Sequence, residues 1–174
     1  MGNYIVVPEG VASDRFGNPL PQPSFVYRQV LDYVVNITEV GDAVYLAPAN
    51  HYGGLLCEHE VGFEYLVNKL GKGVCLFCPP VRKEQYIDTY GNARDLKRFL
   101  PDAMQHIYFE LVCAYIHSYR AAYCFKKEGF RFKKIHRVYY KITDEHIVPR
   151  LWYYRFKPVH YAYEIGAFIR DVMR

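Results

Sequence analysis

Short apolar runs alternating with longer amphipathic stretches set the rhythm of this chain. Residues 4 to 8, Ala43 to Ala47, Val74 to Cys78, Ile107 to Cys113 and Phe130 to Tyr139 read as strands. The stretches between them carry helical spacing. After Ser24 as N-cap, Val26, Val30, Val34 and Ile37 share a face and predict a helix over residues 25–38. A second helix is expected over 57–70, stopped by Gly71 or Gly73. A third begins near Thr89 or Asn92 and ends by Pro101, and a fourth contains Ser118 to Lys127 and closes at Gly129. The last is expected over 159–173, with Val159, Tyr163, Phe168 and Val172 on its packed side.

Strand and helix alternating at this spacing predict a three-layer α/β domain around a mainly parallel sheet of about five strands. Glu9 to Pro23, rich in Gly and Pro, reads as a long loop, Val81 to Asp88 as a polar connection, and Asp144 to Pro149 as another loop. At 174 residues, one domain over 1–174 is expected, with an aromatic-rich, helix-bearing extension from about residue 141.

Open sheets of this kind build ligand crevices beyond the C-terminal ends of their strands. Those positions hold Glu9, Gly10 and Asp14 after the first strand, and Asn50, His51, Gly53 and Gly54 after the second. Arg82 through Asn92 follow the third, and Tyr115 and His117 the fourth. His117 and Arg120 are spaced to share a face at a helix start. An Arg fork suits phosphate or carboxylate, and His exchanges a proton near neutral pH. Thr89 and Asn92 have the same spacing, and Thr89 serves there either as a cap or as a pocket wall. Glu58 and Glu60 open the second helix, where the dipole favours a carboxylate. A pocket for a small anionic molecule is the expectation.

Composition adds less. The chain is 17% aromatic with 18 Tyr, and the densest cluster is Arg150 to Phe156. Those rings would pack the terminal helix against the sheet, and surplus ones would make a homodimer contact or stack on a base. A net charge of +4, concentrated late in Lys126, Lys127, Arg131, Lys133, Lys134 and Arg137, comes without a nucleic-acid-binding motif, so no nucleic-acid partner is expected. Five cysteines suggest reduced thiols, and Cys75 and Cys78, inside an apolar run, read as core residues. There is no His-Glu-x-x-His pair and no dense aspartate cluster, so no metal is expected. No basic leader precedes the first strand, and no run is long enough to cross a bilayer. A soluble, cytoplasmic protein without a membrane anchor is expected.

Two segments, Thr89-Tyr90-Gly91-Asn92-Ala93 and Tyr115-Ile116-His117-Ser118-Tyr119-Arg120-Ala121, occur in order. With Phe125-Lys126-Lys127-Glu128-Gly129-Phe130 behind them, they resemble the Thr-x-x-Asn and Tyr-x-His-x-x-Arg-Ala elements of a widespread bacterial family of unknown function, the YdcF/SanA/ElyC-like family. The resemblance runs from the first strand to about residue 140. Departures mark a divergent member. Pro48-Ala49-Asn50 stands at the Ser-Gly-Gly position, Pro8-Glu9-Gly10 at the early glycine-rich turn, and Gly91 replaces a usual Glu. The family's acidic helix start corresponds to Glu58 or Glu60, and spacing to Gly73 favours Glu60. The resemblance implies a Rossmann-like domain and associations with S-adenosylmethionine binding and with envelope or lipid-carrier metabolism. Many members are membrane-anchored.

Two functions are therefore expected as alternatives. In the first, the chain is an enzyme acting on a phosphorylated or nucleotide-like molecule by hydrolysis or group transfer. Arg120 then binds phosphate, His117 serves as acid or base, and Glu60 orients water or a sugar hydroxyl. Thr89, Asn92, Asn50, Gly10, Glu9 and Tyr115 complete the binding site. In the second, the same pocket holds a nucleotide or S-adenosylmethionine without chemistry.

Overall fold

In the computed structural model, residues 1–52, 57–80 and 87–173 are described; Gly53, Gly54 and Arg82, singled out above, lie outside them. The strands are β1 (Asn3–Val6), β2 (Val11–Ser13), β3 (Pro19–Pro23), β4 (Ala43–Leu46), β5 (Cys75–Phe77), β6 (Tyr108–Ala114) and β7 (Arg131–Val138). The helices are α1 (Phe25–Ile37), α2 (Glu58–Lys69), α3 (Thr89–Phe99), α4 (Ser118–Lys127) and α5 (Lys157–Val172). Shorter 3-10 segments span Asp102–His106 and Pro149–Arg155.

Five strands form one sheet in the order β5-β4-β1-β6-β7, and every pairing within it is parallel. The chain is a Rossmann-like α/β fold. Parallel strands covered on both faces must be apolar on both, which explains the unbroken runs in the sequence. Val6, Leu46 and Val112 face α1 and α2 through Val30, Leu31, Val34 and Leu66. Ile5, Val7, Tyr45 and Leu111 face α3 and α4 through Ala93, Leu96, Ala121 and Phe125. β1 lies at the centre; the chain steps outward from it to β4 and β5 on one side, then crosses back to β6 and β7 on the other. Such switch points are where ligands settle in open sheets.

Three expectations change. The loop over Glu9 to Pro23 contains the antiparallel hairpin β2-β3. Its turn is closed by Asp14, whose carboxylate accepts from the amides of Phe16 and Asn18 and from the Asn18 side chain. Three prolines masked this strand in the sequence, yet a two-stranded ribbon tolerates them because its edges need few ladder donors. Cys75 is exposed and Cys78 only half-buried, because β5 is the sheet edge. There Phe77, stacked on Tyr45, is itself partly exposed.

The third change concerns α5. Its buried face is His160, Glu164, Ala167 and Asp171, while Val159, Tyr163 and Val172 are exposed; Phe168 is half-buried against Tyr123. Apolar periodicity misplaces this helix because the surface it meets on α4 is charged. Arg120 contacts Glu164 and Asp171, Cys124 donates to Asp171 Oδ2 at 3.6 Å, and Lys127 donates to the Asp171 carbonyl at 3.2 Å. No helix among the described residues is long and apolar enough to cross a membrane.

Candidate functional site

β1 and β6 are neighbours in register, with Val6 opposite Val112. The chain leaves β1 through Val7 and Pro8, and Gly10, at φ 86°, lets it bend away. Ser24 caps α1 and holds the bend from the other side. Its hydroxyl donates to the Glu9 carbonyl at 2.7 Å, and its amide donates to the Gly10 carbonyl at 3.1 Å. The result drives the Glu9 side chain into the gap beyond the sheet edge, where it is 1% exposed.

A carboxylate in that place must be satisfied by donors. Glu9 Oε1 accepts from the Ala114 amide at 3.0 Å, from Cys113 Sγ at 3.1 Å and from His117 Nδ1 at 3.1 Å. Glu9 Oε2 accepts from the Tyr154 hydroxyl at 2.5 Å. Burial alone would raise the Glu9 pKa, but the charge and hydrogen bond of His117, with the Tyr154 and Cys113 donors, hold it at about 2. Glu9 is thus an ionised acceptor, and His117 Nδ1 carries a proton.

The other ring nitrogen of His117, Nε2, lies 3.0 Å from Thr89 Oγ1. Thr89 is not the cap of α3. Asp88 takes that role by accepting from the Gly91 amide at 2.9 Å, which frees the Thr89 hydroxyl for His117. Burial disfavours charge on His117, but the Glu9 carboxylate, with Glu164 in support and Arg120 opposing, raises its pKa. Thr89, His117 and Glu9 therefore touch in the order of a hydroxyl–imidazole–carboxylate triad, with the imidazole biased toward its charged form.

Glu58 is the second buried carboxyl. It accepts from the Tyr52 hydroxyl at 2.9 Å and from the Asn50 amide at 3.3 Å. Burial pushes its pKa up to about 6, against the pull of those two donors and of Arg150. A carboxyl that titrates there exchanges protons near neutrality.

A cavity of about 60 Å³ lies among these groups, room for a few waters or one phosphate-sized group. Its walls include Glu9, Gly10, Asn50, Glu58, Thr89, Asn92, His117 and Arg120. The N-termini of α2, α3 and α4 open beside it through Glu58, Thr89 and His117. Helix starts favour an anion by their dipoles and unpaired amides.

Not every expected residue keeps its assigned part. Glu60 is exposed and outside the cavity walls; Glu58 occupies the inward position. The apolar register carried the signal, since Val61 lies three residues after Glu58 and faces the core, whereas Glu60 points the opposite way. Tyr115 lines a separate apolar groove with Ile116, Tyr119, Tyr161, Ile165 and Phe168. Arg120 reaches the cavity wall with its guanidinium committed to Glu164 and Asp171, so it is not a phosphate fork. Asn50 and Asn92 act as joints. Asn50 Oδ1 accepts from the Ile87 amide at 3.0 Å, and the Asn92 amide, with its nitrogen facing the Pro48 and Asp88 carbonyls, ties α3 to the loop after β4.

Glu9, Cys113 and His117 are also the one group among the described residues with three potential metal-ligand atoms within 4.8 Å of one another. Here hydrogen bonds join them. Burial and Glu9 hold the Cys113 thiol well above its ordinary pKa, so it stays protonated, and Glu9 Oε1 already accepts three bonds. Sequence reasoning missed Tyr154, Tyr52 and Glu164. Tyr154 sat in a Tyr-rich tail and Glu164 in a helix read as apolar inside, whereas Tyr52 lay between His51 and Gly53 at a strand end, where the same logic could have found it. Compared with known proteins, the chain matches no family model, no curated sequence and no solved structure.

Proposed function

We propose that the protein is an enzyme acting on a small phosphorylated or nucleotide-like molecule by hydrolysis or group transfer. The observation that carries this reading is the buried Thr89–His117–Glu9 chain sharing a cavity with Glu58. Two proton-active groups that stand in opposite protonation states near neutral pH are what acid–base catalysis needs. Near neutral pH, Glu58 is mostly ionised and serves as base, while His117 is held toward its protonated form and serves as acid.

In hydrolysis, Glu58 takes a proton from water as the water oxygen bonds to the reacting phosphorus. The bond to the leaving oxygen breaks, and that oxygen receives a proton from the Thr89 hydroxyl, which His117 Nε2 replenishes. Exchange with solvent then returns the Glu58 proton and reprotonates His117. Glu9 keeps Nδ1 protonated and aims the ring. The helix starts and the His117 cation favour the anionic group. Tyr163, stacked on Tyr153 with centroids 4.2 Å apart, brings a partly exposed ring to the same cavity, a surface suited to a base. Membership of the YdcF/SanA/ElyC-like family is part of this proposal and rests on the motifs around Thr89 and His117.

The test is turnover of nucleotides, nucleotide sugars and phosphomonoesters by the purified protein. Activity lost in both His117→Ala and Glu58→Gln is the expected result, and full activity in either removes the assigned mechanism. Saturable binding of a nucleotide or S-adenosylmethionine without turnover would instead make the chain a binding module.

A further inference from the structure

The tyrosine-rich tail packs over the sheet edge and also places one hydroxyl inside the proton chain. Glu9 Oε1 is fixed from within the sheet edge by Ala114, Cys113 and His117, whereas the donor to Oε2 is Tyr154, 145 residues away in sequence. Tyr154 is itself buried and tightly held. It stacks on Tyr153 with centroids 5.1 Å apart and packs on His160 at 4.2 Å, and its carbonyl accepts from the Tyr140 hydroxyl at 3.3 Å. Behind it, α5 is anchored to α4 by the Arg120–Glu164 pair. A tail that only covered the sheet would not need its polar face turned inward.

We propose that Tyr154 is a positioning residue of the proton chain, setting through Glu9 how tightly His117 holds its proton. This inference rests on the acid role given to His117 above. A hydroxyl on Oε2 draws charge away from Oε1 and fixes the carboxylate rotation. His117 is then held in its charged form less firmly than an unshared carboxylate would hold it, so it can release a proton. The other charged or titratable groups around His117 are Cys113 from β6, Arg120 from α4, and Glu164 and His160 from α5. The Tyr154 hydroxyl donates to Glu9 rather than to any of these.

The experiment is an NMR titration of the His117 ring in the full-length protein, the resonance being assigned by its loss in His117→Gln. In Tyr154→Phe the His117 midpoint rises by about half a pH unit or more. In Tyr140→Phe, which removes a neighbouring buried hydroxyl that does not touch Glu9, it stays in place. If turnover is found, the alkaline limb of the rate profile in Tyr154→Phe moves up with the midpoint. An unchanged midpoint in a folded Tyr154→Phe protein overturns the proposal, as does an equal shift in Tyr140→Phe. The titration needs no substrate, so absence of turnover would defeat the enzymatic reading while leaving this result to be judged by itself.

Discussion

Arg120 and Glu164 meet as a fork, Nε donating to Oε2 at 2.6 Å and Nη2 to Oε1 at 3.0 Å, with Asp171 Oδ2 3.5 Å from Nη1. All three side chains are buried, so the geometry satisfies the charges at the cost of their hydration. The Arg of the Tyr-x-His-x-x-Arg segment is thereby spent on docking the last helix rather than on gripping a ligand.

Removing it leaves the buried Glu164 carboxylate without its cation and Asp171 with Arg170 alone. Arg120→Ala is expected to destabilise the fold by about 3–5 kcal/mol, and Glu164→Gln, which keeps one acceptor oxygen, by less. Urea unfolding at neutral pH measures both. An Arg120→Ala protein as stable as the parent would mean that the pair does not hold α5 in solution.

Thr89 contributes a hydroxyl rather than bulk. Thr89→Ser should keep turnover within about tenfold, while Thr89→Val, which keeps the shape, should lose roughly 10²–10⁴-fold. Asp88 still caps α3, but the Val protein leaves His117 Nε2 without its buried partner. That protein should therefore lose about 1–3 kcal/mol in urea unfolding, while Thr89→Ser keeps most of the stability. Full turnover by Thr89→Val would place the proton path elsewhere.

The proton assignments fix the form of the pH profile. As pH rises, kcat/KM should climb as Glu58 ionises at about 6 and then fall as His117 loses its proton above its ordinary 6.5. Glu58→Gln should abolish the acidic limb together with most of the rate. A profile that keeps climbing through the alkaline range would contradict the acid role of His117.

The sheet was legible because strands buried on both faces cannot hide their composition, and Gly or Pro closes most of them. Strand-end logic likewise pointed to Glu9, Thr89 and His117, which the structure brings to one cavity. What escaped was set by partners distant in sequence. Tyr154 meets Glu9 across nearly the whole chain, and the inward face of α5 is polar because Arg120, Cys124 and the Tyr140 hydroxyl lie beneath it. Periodicity assumes an apolar neighbour, so it named Val159, Tyr163 and Val172 instead. Glu58 was a nearer miss, since its spacing from Val61 already directed it inward.

Gly10 joins fold and site at one point. Its φ of 86° disfavours any side chain, and a Cβ there would stand 2.2 Å from Leu151 Cδ1. Gly10→Ala should cost roughly 1–3 kcal/mol in backbone strain and turn the Leu151 side chain out of its place, loosening the packing next to the segment that carries Tyr154. Thermal unfolding reads the first effect and the His117 titration the second. A Gly10→Ala protein unchanged in both would show that this bend is not needed.

Glu9 and Glu58 should give stability opposite dependences on pH. Glu58 titrates at about 6 in the fold against 4.5 for an ordinary Glu. Below 4.5 both states are protonated and it has no effect. Above about 6 both are ionised, and the fold bears the full cost of the buried charge, about 2 kcal/mol. Glu58→Gln should therefore be stabilising at about pH 8 and nearly neutral at about pH 4. Glu9 is held at about 2 in the fold, so its ionised form stabilises the protein above 4.5, and that contribution fades as pH falls toward 2. Glu9→Gln should be costly at neutral pH, with the gap from the parent narrowing below about pH 4. Urea midpoints across this range test both variants. A Glu58→Gln advantage that fails to grow between acid and alkaline conditions would show that Glu58 does not carry its charge inside the fold.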